Sequence, residues 1–188
     1  MRKALQVMPI LLALGTGGCA AAASGESLKA TFDAGVAAYD KGDYATAYKL
    51  WTSIDDEDIA AMRNVAMMER TGQGTAKDPK AAEAMFRRAA AAGLPTAQAD
   101  LADMLLKGEA GPPDPKRALP LLEAAAAADH PIAEYELGQI YEAGDLLPRN
   151  LEVARNLYAA AAAHGMKEAR DRLEALGAPA PGPRSSLP

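Results

Sequence analysis

The side chains that could do chemistry in this 188-residue chain are few. His130 and His164 are its two imidazoles, and neither lies in a spacing that marks a metal site or a nucleophile-base triad. The run Asp55, Asp56, Glu57 and Asp58 offers carboxylates for a cation such as calcium, but it lacks the alternating ligands and the glycine of a calcium-binding loop. It reads instead as a solvated turn that supplies negative charge to the start of the following helix. Gly72-Gln73-Gly74 reads as a connecting loop and not as a phosphate cradle. Cys19 is the single cysteine, which excludes an intramolecular disulfide and a thiolate metal cluster. The sequence therefore names no catalytic residue, no metal ligand and no cofactor.

The elements that must position these groups are helices. Apolar residues make up 49% of the chain and aromatics only 5%. Alanine is abundant, which favours closely approaching helices, because it pays no side-chain entropy in a helix. The expected class is all-α. Acidic residues outnumber basic ones by 25 to 20, and no Lys/Arg stripe interleaves with aromatics, so nucleic acid is a poor partner.

Sliding the sequence against itself shows a period of 36 residues without gaps. Ala61, Val65, Ala66, Met68 and Gly72 fall on Ala97, Leu101, Ala102, Met104 and Gly108, then on Ala133, Leu137, Gly138, Ile140 and Gly144. These define a first helix in each unit, ended by a glycine suited to a left-handed cap. Asp78, Ala82, Phe86, Ala89 and Ala90 fall on Asp114, Ala118, Leu122, Ala125 and Ala126, then on Asn150, Ala154, Tyr158, Ala161 and Ala162. This second helix starts from a capping side chain, followed by Pro79 or Pro115 in two copies and unaided at Asn150. Phe86, Leu122 and Tyr158 supply one bulky knob per unit, which a single unit could not bury. His130 and His164 both fall near the end of a second helix, where His164 suits a helix C-terminus. Pro120 lies inside a second helix, where a local kink is expected.

A shorter opening unit begins near Phe32 and carries Gly35, Tyr39, Gly42, Tyr44, Ala47 and Trp51 at the spacing of a tetratricopeptide-like hairpin. Trp51 is expected in the core. A polar half-unit with Arg170, Arg172, Leu173, Glu174 and Leu176 closes the array as a cap. The expected organisation is a leader over 1–24, a repeat domain over 25–176 and a disordered proline-rich tail over 177–188. Within the domain the units run about 31–60, 61–96, 97–132 and 133–168, with the half-unit at 169–176.

Arg2 and Lys3, an apolar run from Ala4 to Leu14 and the small residues that follow read as a bacterial export signal too short to span a bilayer. Removing it leaves 25 acidic against 18 basic residues, a formal balance of −7. Cys19, behind Gly17 and Gly18, resembles the lipid-accepting cysteine of a lipobox, with a departure at Thr16 where leucine is usual. Acylation there, with Ala20 next to it, would imply the outer membrane. Cleavage near Ala22 would instead release a soluble periplasmic chain.

The string Ala133, Leu137, Gly138, Tyr141 and Gly144, then Ala154, Tyr158, Ala161, Ala162 and Gly165, resembles the Sel1-like repeat consensus. Glu69 and Leu105 depart from it at the Tyr141 position, and Asp129 departs from it at the Gly165 position. The resemblance implies a right-handed α-solenoid acting as an adaptor for other proteins, often in the bacterial envelope, without catalysis. A cell-wall or β-lactam-directed hydrolase is the alternative suggested by secreted relatives, but those carry paired cysteines in each repeat and this chain has none there. A passive outer-membrane spacer is a third reading.

Advancing 100° per residue places Arg63, Met67 and Arg70 opposite the core arc of the first helix. Their equivalents are Ala99, Asp103 and Leu106, then Tyr135, Gln139 and Glu142. The partner-binding row expected from this is Arg63, Met67, Arg70, Asp103, Leu106, Tyr135, Gln139 and Glu142, with Met67, Leu106 and Tyr135 as solvent-facing apolar groups for another envelope protein or peptide. Mass spectrometry of the mature N-terminus tests the leader: a lipid-modified Cys19 is the expected finding, and an unmodified chain starting after Ala22 contradicts it.

Overall fold

The structure, a computed structural model, describes residues 17–177, with side chains described from Gly25. The leader up to Thr16 and the tail from Ala178 lie outside these residues. The described residues form helices and no strand: α1 (Gly17–Asp40), α2 (Tyr44–Thr52), α3 (Ile59–Thr71), α4 (Pro79–Ala91), α5 (Pro95–Lys107), α6 (Pro115–Ala127), α7 (Pro131–Ala143), α8 (Leu151–Ala163) and α9 (Lys167–Ala175). The all-α repeat architecture follows the sequence period: α3/α4, α5/α6 and α7/α8 are three hairpins, and each packs on the next.

The turns explain the regularity. Gly72, Gly108 and Gly144 each take φ between 68° and 79° and end the first helix of their hairpin in the left-handed conformation. The chain then folds back, and the amides of Asp78, Asp114 and Asn150 donate to the carbonyls of Glu69, Leu105 and Tyr141 at 2.8–2.9 Å. The side chains of Asp78 and Asn150 each accept two amide hydrogen bonds from the new helix, and Asp114 accepts one from Arg117. Asp58 caps α3 in the same way at 2.8 Å, so the acidic run does start a helix. Its neighbour Asp56 pairs with Arg88. At the other end of each hairpin a left-handed residue reverses the chain again. Gly93 and Gly165 fill that place, and Asp129 takes it with φ 59°.

The knobs Phe86, Leu122 and Tyr158 are all fully buried. Alanines at zero exposure, among them Ala82, Ala89, Ala118, Ala125, Ala154 and Ala161, bring the backbones close enough to enclose them. The Tyr158 knob faces a small residue of the first helix, Gly138. A methyl group at Gly138 would lie 2.7 Å from the tyrosine ring.

The opener differs from the expected unit in its start, since α1 begins at Gly17 and not near Phe32. Its hairpin with α2 behaves as foreseen: Trp51 is buried and donates to the Phe32 carbonyl at 3.2 Å. The cap α9 buries Ala169 and leaves most of its charged residues exposed. Helix α6 spans Pro120 as one element, with the proline exposed. Gly138→Ala should lower stability by roughly 1–3 kcal/mol through overpacking on Tyr158. Denaturant unfolding checks this, and an unchanged midpoint would show that the ring moves aside freely.

Candidate functional site

The first helices α3, α5 and α7 lie side by side, and the residues expected to bind a partner lie along them. Arg63, Met67 and Arg70 share one face of α3 by helical spacing. That face does not point freely into solvent. Arg63 Nε donates to Asp100 Oδ2 at 2.7 Å. Arg70 Nε donates to Glu109 Oε2 at 2.8 Å, and its Nη2 reaches both Asp103 and Glu109 at 2.5 Å. Lys107 also donates to Asp103, at 3.0 Å. Cations of one hairpin therefore pair with acids of the next.

Energetics support real coupling at this seam. Arg70 is only 13% exposed in its side chain, so its pairs are less screened than surface ones. Burial opposes ionisation of Asp103, but hydrogen bonds from Arg70 and Lys107 outweigh it and hold its pKa below the usual range. Hydrogen bonding from Arg70 lowers Glu109 as well.

The seam continues from α5 to α7 with the opposite balance. Glu136 of α7 faces the acids of α5, and burial, reinforced by Asp103, pushes its carboxyl pKa up to about 7. Its Oε2 is buried without a hydrogen-bond partner. His130, the N-cap residue of α7, has its Nδ1 buried without one, and burial lowers its pKa despite the Asp100 charge. The strip thus runs from paired arginines on α3 to a carboxyl on α7 whose ionisation burial opposes.

The expected apolar row needs correction. Met67 and Leu106 are half-buried and pack on the core of the hairpins. Tyr135 is half-buried against Tyr158, with ring centroids 5.5 Å apart. Ala99, expected on the same face, is 4% exposed. The reason is lateral packing: a helix inside a stack has neighbours on both flanks, so its free strip is narrower than a single-helix projection suggests. Among the described residues the exposed large apolar ones are Val36, Ile59, Ile132 and Leu146 instead. Gln139 is exposed, and its amide donates to the Tyr135 hydroxyl at 3.2 Å. Glu142 serves the end of the array, accepting from Arg172 at 2.6 and 2.8 Å and from the Tyr158 hydroxyl at 2.8 Å.

Asp100, Glu109 and Glu136 were missed, and His130 was noticed only as an imidazole without a site motif. Asp100 and Glu136 occupy the same repeat position, one residue beyond the Ala99 and Tyr135 row. That shared position was the available signal. A second polar cluster lies elsewhere, where Asp129, Glu134 and His164 bring possible metal-ligand atoms within 4.8 Å of one another. His164 caps the end of α8, as its sequence position suggested.

Three consecutive matches to the family described as Sel1 repeat cover residues 59–94, 95–130 and 131–166, more than half the chain and in phase with the starts of α3, α5 and α7. The chain belongs to the Sel1 repeat family. Sel1 repeats are generally protein–protein interaction modules, and proteins built from them are typically non-catalytic scaffolds. The crystal structure of a Sel1 repeat protein from Oxalobacter formigenes is similar to this chain, with a TM-score of 0.72 and 29% identity over 76% of this chain and 58% of that one. Another is c5321, a protective antigen present in uropathogenic Escherichia coli strains and displaying an SLR fold. It has a TM-score of 0.74 and 25% identity over 82% of this chain and 34% of that one. This Sel1 repeat chain thus spans less than two thirds of the length of either relative. No curated protein matches it.

The raised Glu136 pKa has a consequence for stability. A carboxyl whose folded pKa lies above its unfolded value favours folding when protonated, and that contribution is lost as pH rises to about 7. Glu136→Gln should therefore stabilise the Sel1 repeat stack at pH 8, on the order of 1 kcal/mol after allowance for solvent screening, and change little near pH 4.5. Thermal unfolding at both pH values measures it, and a pH-independent difference would contradict the placement of this group.

Proposed function

We propose that the chain is a non-catalytic adaptor of the bacterial cell envelope that binds another protein along the exposed strip of α3, α5 and α7. The observation that carries the reading is the uneven electrostatics of that strip. Arginines on α3 are hydrogen-bonded within the stack, whereas Glu136 on α7 has a buried Oε2 without a hydrogen-bond partner, and burial pushes its pKa up to about 7 although Lys107 and Arg70 partly offset the nearby acids. A cationic group from a partner would restore the charge of Glu136, so binding would release a proton and strengthen as pH rises through about 7. Met67, Leu106 and Tyr135 contribute their partly exposed edges, Gln139 an exposed amide beside Tyr135, and Arg63, Arg70, Asp103 and Glu142 the rigid frame. Family membership supports a protein partner, and the export signal with Cys19 supports the periplasm or the outer membrane.

Nothing in the geometry favours the hydrolase reading over this one. The repeats lack the paired cysteines of the secreted relatives that suggested it. Photo-crosslinking in living cells tests the adaptor reading: a crosslinker at exposed Gln139 should yield a discrete protein adduct, and one at exposed Glu123 on α6 should not. Equal labelling at both positions, or none at 139, would remove the proposed face.

A further inference from the structure

The turn after α6, the first turn of α7 and the end of α8 converge on one point. Asp129, Glu134 and His164 meet there with their ligand atoms all within 4.8 Å of one another, and His164 Nε2 stands 3.9 Å from Glu134 Oε2. Glu134 is 3% exposed, the only charged side chain among the described residues that is buried. Asp129 and His164 form the exposed rim above it.

The repeat supplies its own comparison. At the preceding junction the same three positions hold Gly93, Gln98 and Ala128, and Ala92 stands at the His164 position of the first hairpin. All three replacements fall at one junction, and each introduces a side chain able to bind a metal. Asp129 does so in the left-handed conformation that Gly93 and Gly165 hold elsewhere.

We propose that Asp129, Glu134 and His164 bind a first-row divalent transition metal ion of the zinc type, clamping repeat 131–166 to the end of repeat 95–130. Two carboxylate oxygens and one imidazole nitrogen suit such an ion, and the nitrogen selects against magnesium and calcium, which take oxygen donors. Ligands at zinc distances in a tetrahedron lie about 3.4 Å apart, so atoms within 4.8 Å of one another need to close by at most about 1.4 Å. The negative ends of α6 and α8 lie next to Asp129 and His164 and favour a cation. The opposing N-terminus of α7 carries Glu134 in its first turn. Three protein ligands leave a fourth position for water or for a group from a partner.

The test is calorimetric titration of the untagged, chelator-treated chain with zinc chloride at pH 7.5, alongside thermal melting with and without zinc. Asp129→Gly and His164→Ala install residues the chain already uses at the equivalent places, so both variants should fold and melt cooperatively without metal. One zinc per chain and a higher Tm are expected for the wild type, with no rise in calcium or magnesium. Each variant should weaken zinc binding about tenfold or more and abolish the Tm rise, while His130→Ala should keep both. Absence of stoichiometric zinc binding, undiminished binding in the two variants, or its loss in His130→Ala would overturn the assignment.

Discussion

Each hairpin of this chain carries one side chain that it cannot enclose alone. Phe86, Leu122 and Tyr158 are fully buried only because alanines on the surrounding helices admit a close backbone approach and because the next helix closes over them. A large side chain of this kind contributes roughly 1.5–3 kcal/mol when removed from water, and that gain is shared between neighbours. The stack is therefore the folding unit, and its ends need special treatment. At one end Trp51 fills the place of the knob beneath the long helix α1. At the other the charged helix α9 covers α8, and Arg155 donates to the Leu176 carbonyl at 2.7 Å.

The same lateral packing decides what the surface can offer. Bringing α3, α5 and α7 together covers part of the face a lone helix would present, and it places arginines of one helix against acids of the next. Those pairs stiffen the strip without leaving spare positive charge on α3. At α7 the alternation weakens, since burial opposes the charged forms of His130 and Glu136 and the neighbouring charges do not offset it. A scaffold whose interior is built from near-identical units thus acquires a polarity along its axis, which is the basis of the proposed binding strip.

The period was legible in the sequence because its punctuation is a backbone requirement. Left-handed turns select Gly72, Gly108 and Gly144, and helix starts select Asp78, Asp114 and Asn150, so those residues recur whatever the surface does. Core knobs and alanines were legible for the same reason, as they repeat with the packing. The solvent face was less so. A helical projection of α5 alone puts Ala99 and Leu106 outside, because it contains no information about flanking helices. Pairings such as Arg63 with Asp100 cross from one unit to the next at an offset near, but not equal to, the period, which superposition of equivalent positions does not reveal. Glu142 looked like part of a binding row and belongs to the cap through Arg172, whose helix the repeat pattern placed only as a half-unit.

The central claim, that partners engage the strip on α3, α5 and α7, is most directly tested by hydroxyl-radical footprinting of the chain in intact cells and after purification. Met67 and Tyr135 react readily with such radicals and stand partly exposed on that strip, while Leu146 is exposed in the α7–α8 loop. The account predicts lower oxidation of Met67 and Tyr135 in cells than in the isolated chain, with Leu146 unchanged. Protection of α4, α6 and α8 with Met67 and Tyr135 unchanged would place the partner on the opposite side and contradict the account.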